Sequence, residues 1–189
     1  MSSESKKITF IAPSLKDENY SIAYILGNIV WLMIHSADHR KMPLLLILNQ
    51  IYPAIENKQY LLGMSENSNP VFYMAWANFN EEEEAKYIEH TNSALTPNNW
   101  NCGDRTWILF WISPFGYSYQ AKRFVEDQLF ADSPEVRFMY HESKKRESRI
   151  IAKRGKNVLP EESHKWHETH LPQTENAPKI WLPKDFYRN

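Results

Sequence analysis

The residues with the clearest chemical potential are Ser36, His39 and Asp104. His39 sits in the link Ser36-Ala37-Asp38-His39-Arg40, with a hydroxyl three positions before it. Asp104 stands just before an apolar run, Thr106 to Ile112. A hydroxyl, an imidazole base and an orienting carboxylate make up a proton-transfer set, but such sets are recognised by geometry. A partly exposed loop histidine is the plainer reading of His39 taken by itself. Cys102 is a second candidate nucleophile. The carboxylate of Asp104 two residues on would make that thiol less reactive, which favours a structural role.

Two further clusters carry charge or ligand chemistry. His164, His167 and His170 recur at steps of three, which places them on one face of a helix, where they could hold a metal. No supporting partner is evident nearby, so a solvated segment and no metal is the expectation. Lys144, Lys145, Arg146, Arg149, Lys153, Arg154 and Lys156 gather against one acidic residue, Glu147. Such a patch suits an acidic protein or a phosphate better than nucleic acid, because no nucleic-acid motif accompanies it. A glycine-rich phosphate loop is absent, and the chain has only five glycines.

These residues must be positioned by a fold that 189 residues, 42% hydrophobic and 14% aromatic, can pack around a core. The formal charge of −1 supplies no overall field for nucleic acid or an anionic membrane. One cysteine cannot form an internal disulfide, and neither a signal peptide nor a membrane span is evident, so a cytoplasmic location is expected.

Apolar spacing predicts a helix over 18–36, capped by Asp17 or Asn19, and a second from Pro43 to Tyr52 that Pro53 interrupts. A hairpin over 59–66 and 71–79 follows, then a helix from Glu81 to about His90 capped by Asn80. Thr106 to Ile112 reads as a central strand covered on both faces. A helix over 118–130 and strands over 136–141 and 148–152 complete the core. The tail from Pro160 is expected on the surface or against a partner subunit. This is an α+β (α/β) single domain with a mixed central sheet flanked by helices.

Several blocks, in order, resemble the RTX toxin-activating lysine acyltransferases: Leu26-Gly27-Asn28-Ile29-Val30-Trp31-Leu32, Ser36-Ala37-Asp38-His39-Arg40, Ala75-Trp76-Ala77, Gly103-Asp104-Arg105-Thr106-Trp107 and Trp111-Ile112-Ser113-Pro114-Phe115. The resemblance implies a GNAT-like acyltransferase domain over 1–160, with 161–189 as an extension. It implies no bound cofactor, acyl-acyl carrier protein as the donor and an RTX protoxin as the acceptor, with a homodimer as a further expectation. The family's essential histidine and aspartate fall on His39 and Asp104, with Ser36 supporting them. Charge complementarity adds Lys122, Arg123, Lys144, Lys145 and Arg146 as a docking surface for the acidic carrier. The chain departs from the family pattern at Ala37, Ser113 and above all Phe110, where an acidic residue is expected. A non-catalytic chaperone that binds toxin or carrier is therefore the rival reading.

Overall fold

Isoleucine and leucine at positions 25, 29 and 32 lie on one helical face, and all three are fully buried in the computed structural model. The structure describes residues 7–89, 97–142, 147–174 and 178–182. Helix α1 spans Ile22–His35 and begins later than the sequence suggests, because Ser21 and not Asp17 or Asn19 is the cap. The Ser21 side chain accepts the Tyr24 amide at 3.2 Å, which satisfies one of the helix's first free N–H groups.

Beyond the link that carries His39, the chain is helical again through α2 (Leu44–Leu46), a π-helical turn (Ile47–Ile51) and α3 (Tyr52–Glu56). Pro53 therefore does not interrupt this helix. A proline lacks the amide that a helix interior needs and crowds the preceding turn. Here the turn before it widens, with the Tyr52 amide bonding Ile47 O, and the helix continues.

The described residues form a seven-stranded sheet in the order β1-β2-β3-β4-β5-β6-β7. Strands β2 (Tyr60–Ser65) and β3 (Pro70–Phe79) make the expected antiparallel hairpin, with a bulge at Gly63 and Met64. Strand β1 (Ile8–Ile11), unforeseen in the sequence, pairs antiparallel with β2. Strand β4 (Arg105–Ile112) pairs parallel with β5 (Val136–Glu142), which pairs antiparallel with β6 (Glu147–Lys153). A two-residue β7 (Ile180–Trp181) pairs parallel with β6. The sheet is thus mixed, and the fold is α+β of GNAT-like layout.

Strand β4 is covered on both faces, as expected: Arg105 and Trp107 are buried on one and Phe110 and Ile112 on the other, while Thr106, Ile108, Leu109 and Trp111 are half-buried. One expectation is corrected here: the run Ser118 to Phe130 is not one regular helix. Helix α5 (Ser118–Phe124) gives way to a π-helical turn (Val125–Leu129), closed by the Phe130 amide on Val125 O at 2.9 Å.

The chain divides into two compact units, Met1–Ala75 with Phe110–Phe124, and Trp76–Leu109 with Val125–Asn189. In the first, α1 and the hairpin supply the buried Ile25, Ile29, Leu32, Leu61 and Phe72. In the second, helix α4 (Glu81–Glu89) is capped by Asn80, whose Oδ1 accepts the Glu83 amide at 2.9 Å. Trp100 and Trp107 are fully buried in that unit. Helix α6 (Pro160–Thr169) belongs to it as well, and the expectation of a surface tail fails for its Ser163 and His167, which are buried.

Candidate functional site

Ser36 ends α1, its amide bonding Met33 O at 3.1 Å. Its carbonyl then accepts the Arg40 amide at 3.0 Å, closing a turn over residues 36–40, and Met42 N bonds His39 O at 3.0 Å. This double turn brings Ser36 Oγ to 2.7 Å from His39 Nδ1. The imidazole is half-buried. Burial holds its pKa below the ordinary histidine value, and the Asp38 carboxylate opposes that shift weakly. A neutral ring tied by one nitrogen to a hydroxyl leaves the other nitrogen to act as a base.

Asp104 belongs to the other unit, in the bend that leads into β4. That bend is anchored by Asn78, whose carbonyl accepts the amides of Cys102 at 2.8 Å and Gly103 at 3.1 Å. Gly103 is packed so closely that a Cβ there would lie 2.3 Å from Phe79 O and 2.4 Å from Asn80 N. Cys102 Sγ lies 3.4 Å from both Asn99 O and the Asn80 amide, a structural tie between the bend and the start of α4. The Asp104 side chain remains largely exposed, and its carboxylate lies 3.4 Å from His170 Nε2.

Behind the bend lies a buried ionic network that sequence reasoning missed. Arg137 on β5 is 1% exposed; it donates through Nη1 to Glu84, through Nε to Glu135 and through Nη2 to the His170 carbonyl at 2.7 Å. Glu84 Oε1 also accepts the Trp107 indole N–H at 2.7 Å. Its Oε2 faces Arg105 Nε at 3.0 Å, an ion pair with an angle poor for a hydrogen bond. Burial pushes the Glu84 carboxyl up, while Arg137, the indole N–H and Arg105 pull the other way. Glu135 in turn holds His167 Nδ1 at 2.7 Å. Such charges are tolerated in a core only when paired, and here each has a partner.

The three spaced histidines therefore have separate duties: His164 faces Glu168, His167 faces Glu135 and His170 faces Asp104. Among the described residues no histidine, cysteine and carboxylate cluster is arranged to hold a metal. Lys122 and Arg123 occupy the last turn of α5, and Lys144, Lys145 and Arg146 lie outside the described residues.

The signature of the RTX toxin acyltransferase family matches residues 18–154. The chain belongs to the RTX toxin acyltransferase family. Ser36, His39, Asp104, Lys122 and Arg123 all fall inside the matched stretch. The chain is 46% identical over 100 residues to the leukotoxin-activating lysine-acyltransferase LktC of Mannheimia haemolytica serotype A1, covering 53% of this chain and 59% of that protein. It is 43% identical over 108 residues to the RTX-II toxin-activating lysine-acyltransferase ApxIIC of Actinobacillus pleuropneumoniae, covering 54% and 66%. With the protein-lysine myristoyltransferase HlyC of Escherichia coli it shares 40% over 111 residues, covering 56% and 64%. The alignments thus span less than two thirds of these relatives' own length. Among the described residues no helix is long and apolar enough to cross a membrane.

Proposed function

We propose that this chain is a protein-lysine acyltransferase that moves a fatty acyl group from acyl carrier protein to internal lysines of an RTX protoxin, in the cytoplasm. The observation that carries the reading is the 2.7 Å contact between Ser36 Oγ and the half-buried His39 imidazole within the family-matched stretch. Relatives named for activating toxins through lysine acylation support the substrate class.

A lysine ammonium, with a pKa of about 10.4, must lose a proton before it can attack a thioester. In the tautomer where His39 Nδ1–H donates to Ser36 Oγ, Nε2 presents a lone pair to take that proton. Nitrogen attack forms the new C–N bond, the C–S bond to the carrier breaks, the imidazolium returns its proton to the departing thiolate, and the second proton on the attacking nitrogen leaves to solvent to give the neutral amide. Asp104 supplies the family's essential carboxylate, and no cofactor is needed beyond the acyl-carrier donor. Lys122 and Arg123 are proposed to meet the acidic carrier protein, a role supported by charge complementarity.

The test mixes purified protein, acyl-loaded carrier and an RTX protoxin, followed by peptide mass spectrometry beside a His39→Ala control. A mass gain on protoxin lysines that the control lacks is the expected result. Binding of both carrier and protoxin without any lysine modification would instead identify a non-catalytic chaperone.

A further inference from the structure

The side chain that meets Asp104 comes from outside the family-matched residues. His170 is the C-cap of α6, its amide bonding His167 O at 3.1 Å. The Arg137 guanidinium fixes this cap from the core through the His170 carbonyl. The ring is oriented as firmly as the backbone. Its Nδ1 lies 2.8 Å from Trp166 O and 2.8 Å from Thr169 Oγ1, and the imidazole stacks on the Trp166 indole at 4.0 Å with 4° between the planes. Arg137 also lies 5.3 Å from the Trp166 ring centroid.

A carbonyl and a carboxylate both only accept, so each end of this ring faces an acceptor: Nδ1 lies against Trp166 O and Nε2 lies 3.4 Å from Asp104 Oδ2. Exposed ion pairs contribute little to stability, so holding this contact in place bears on the direction of the carboxylate more than on folding.

We propose that His170 is a positioning residue for Asp104, recruited from the C-terminal segment to hold the carboxylate in one orientation. This rests on the acyltransferase reading, in which Asp104 takes part in acyl transfer. The groups that face the ring are Asp104 from the bend before β4, Arg137 from β5, and Trp166 and Thr169 from α6 itself.

Three variants and one spectrum test it. His170→Phe keeps the ring stacked on Trp166 and removes both ring nitrogens; turnover on protoxin should fall about five- to tenfold with KM unchanged. His170→Gln, whose amide nitrogen reaches the Nε2 position, should recover most of that loss, and His170→Asn, whose amide stops at the Nδ1 position, should not. In an Asp104→Asn background His170→Phe should have no further effect. Independently of activity, Asp104→Asn should move the His170 ring signals in a 15N-histidine NMR spectrum. Unmoved ring signals, or full turnover in His170→Phe, would overturn the proposal. A wild-type protein that leaves protoxin lysines unmodified while the ring signals do move sinks the acyltransferase reading, and the positioning role with it, but leaves the contact standing.

Discussion

The hydroxyl of Ser36 and the imidazole of His39 meet at 2.7 Å because the Ser36 carbonyl takes the Arg40 amide and folds the chain back within four residues. The helix cap and the candidate base are therefore one local structure. His39→Ala should lower the rate of acyl transfer by about 10²- to 10⁴-fold, the usual contribution of a general base. Ser36→Ala removes only the bond that favours one tautomer, so turnover should fall about three- to tenfold, with KM unchanged. Steady-state acylation rates read by intact mass check both.

Burial of His39 sets a pH dependence with a definite sign. Its folded pKa lies below the unfolded value, so as pH falls below about 6.5 the unfolded chain takes up a proton that the folded one resists. Stability should fall with acidification across that window, down to the folded pKa. Urea midpoints at pH 7 and pH 5.5 should show wild type losing more than His39→Gln. The acid limb of kcat/KM should lie below 6.5 for the same reason.

The Ser36–His39 pair was legible in the sequence because its members are three positions apart in a short link. The same holds for the buried stripe of α1 and the Asn80 cap of α4. The ionic network was not legible: Arg137 and Glu84 are 53 positions apart, and nothing in either local pattern names the other. Nothing in the run Glu81 to Glu84 marks Glu84 as the member that is fully buried. His170 read as one of three histidines on a helix face, and nothing in the local pattern of the tail names Asp104 as the group it faces. Strands β1 and β7, of four and two residues, are too short to show a period of their own.

Glu84 is the hinge of that network, and its removal should cost more than its location suggests. Glu84→Ala leaves Arg105 and the Trp107 indole N–H without the carboxylate and strips one partner from Arg137. Breaking a buried pair from one side typically costs about 3–5 kcal/mol. Urea unfolding should show a loss of that order, with Glu84→Gln milder because it keeps an acceptor for the indole.

Gly103 couples the fold to the site through space alone. A methyl group there would press on the backbone at Phe79 O and Asn80 N, neither of which can swing aside. Gly103→Ala should destabilise by about 1–3 kcal/mol, as overpacking does. Because Asp104 is the next residue, the variant should also lose turnover at temperatures where circular dichroism shows it still folded.

Phe110 stands where the resemblance to the family implies an acidic residue, and placing an acid there would seem a direct test of activity. The structure argues against that experiment. Phe110 is 4% exposed, with its ring 6.5 Å from that of the fully buried Tyr73. Phe110→Asp removes the ring, which for Phe→Ala costs about 3–5 kcal/mol, and adds an unpaired buried carboxylate to that loss. The variant should therefore be largely unfolded or insoluble, and any loss of carrier affinity would report folding instead of chemistry. Phe110→Leu, which keeps an apolar filler, should remain folded. If Phe110→Leu acylates protoxin near the wild-type rate, this position serves packing here and the aromatic ring itself has no part in the reaction. A thermal melt run beside the acylation assay separates the two variants.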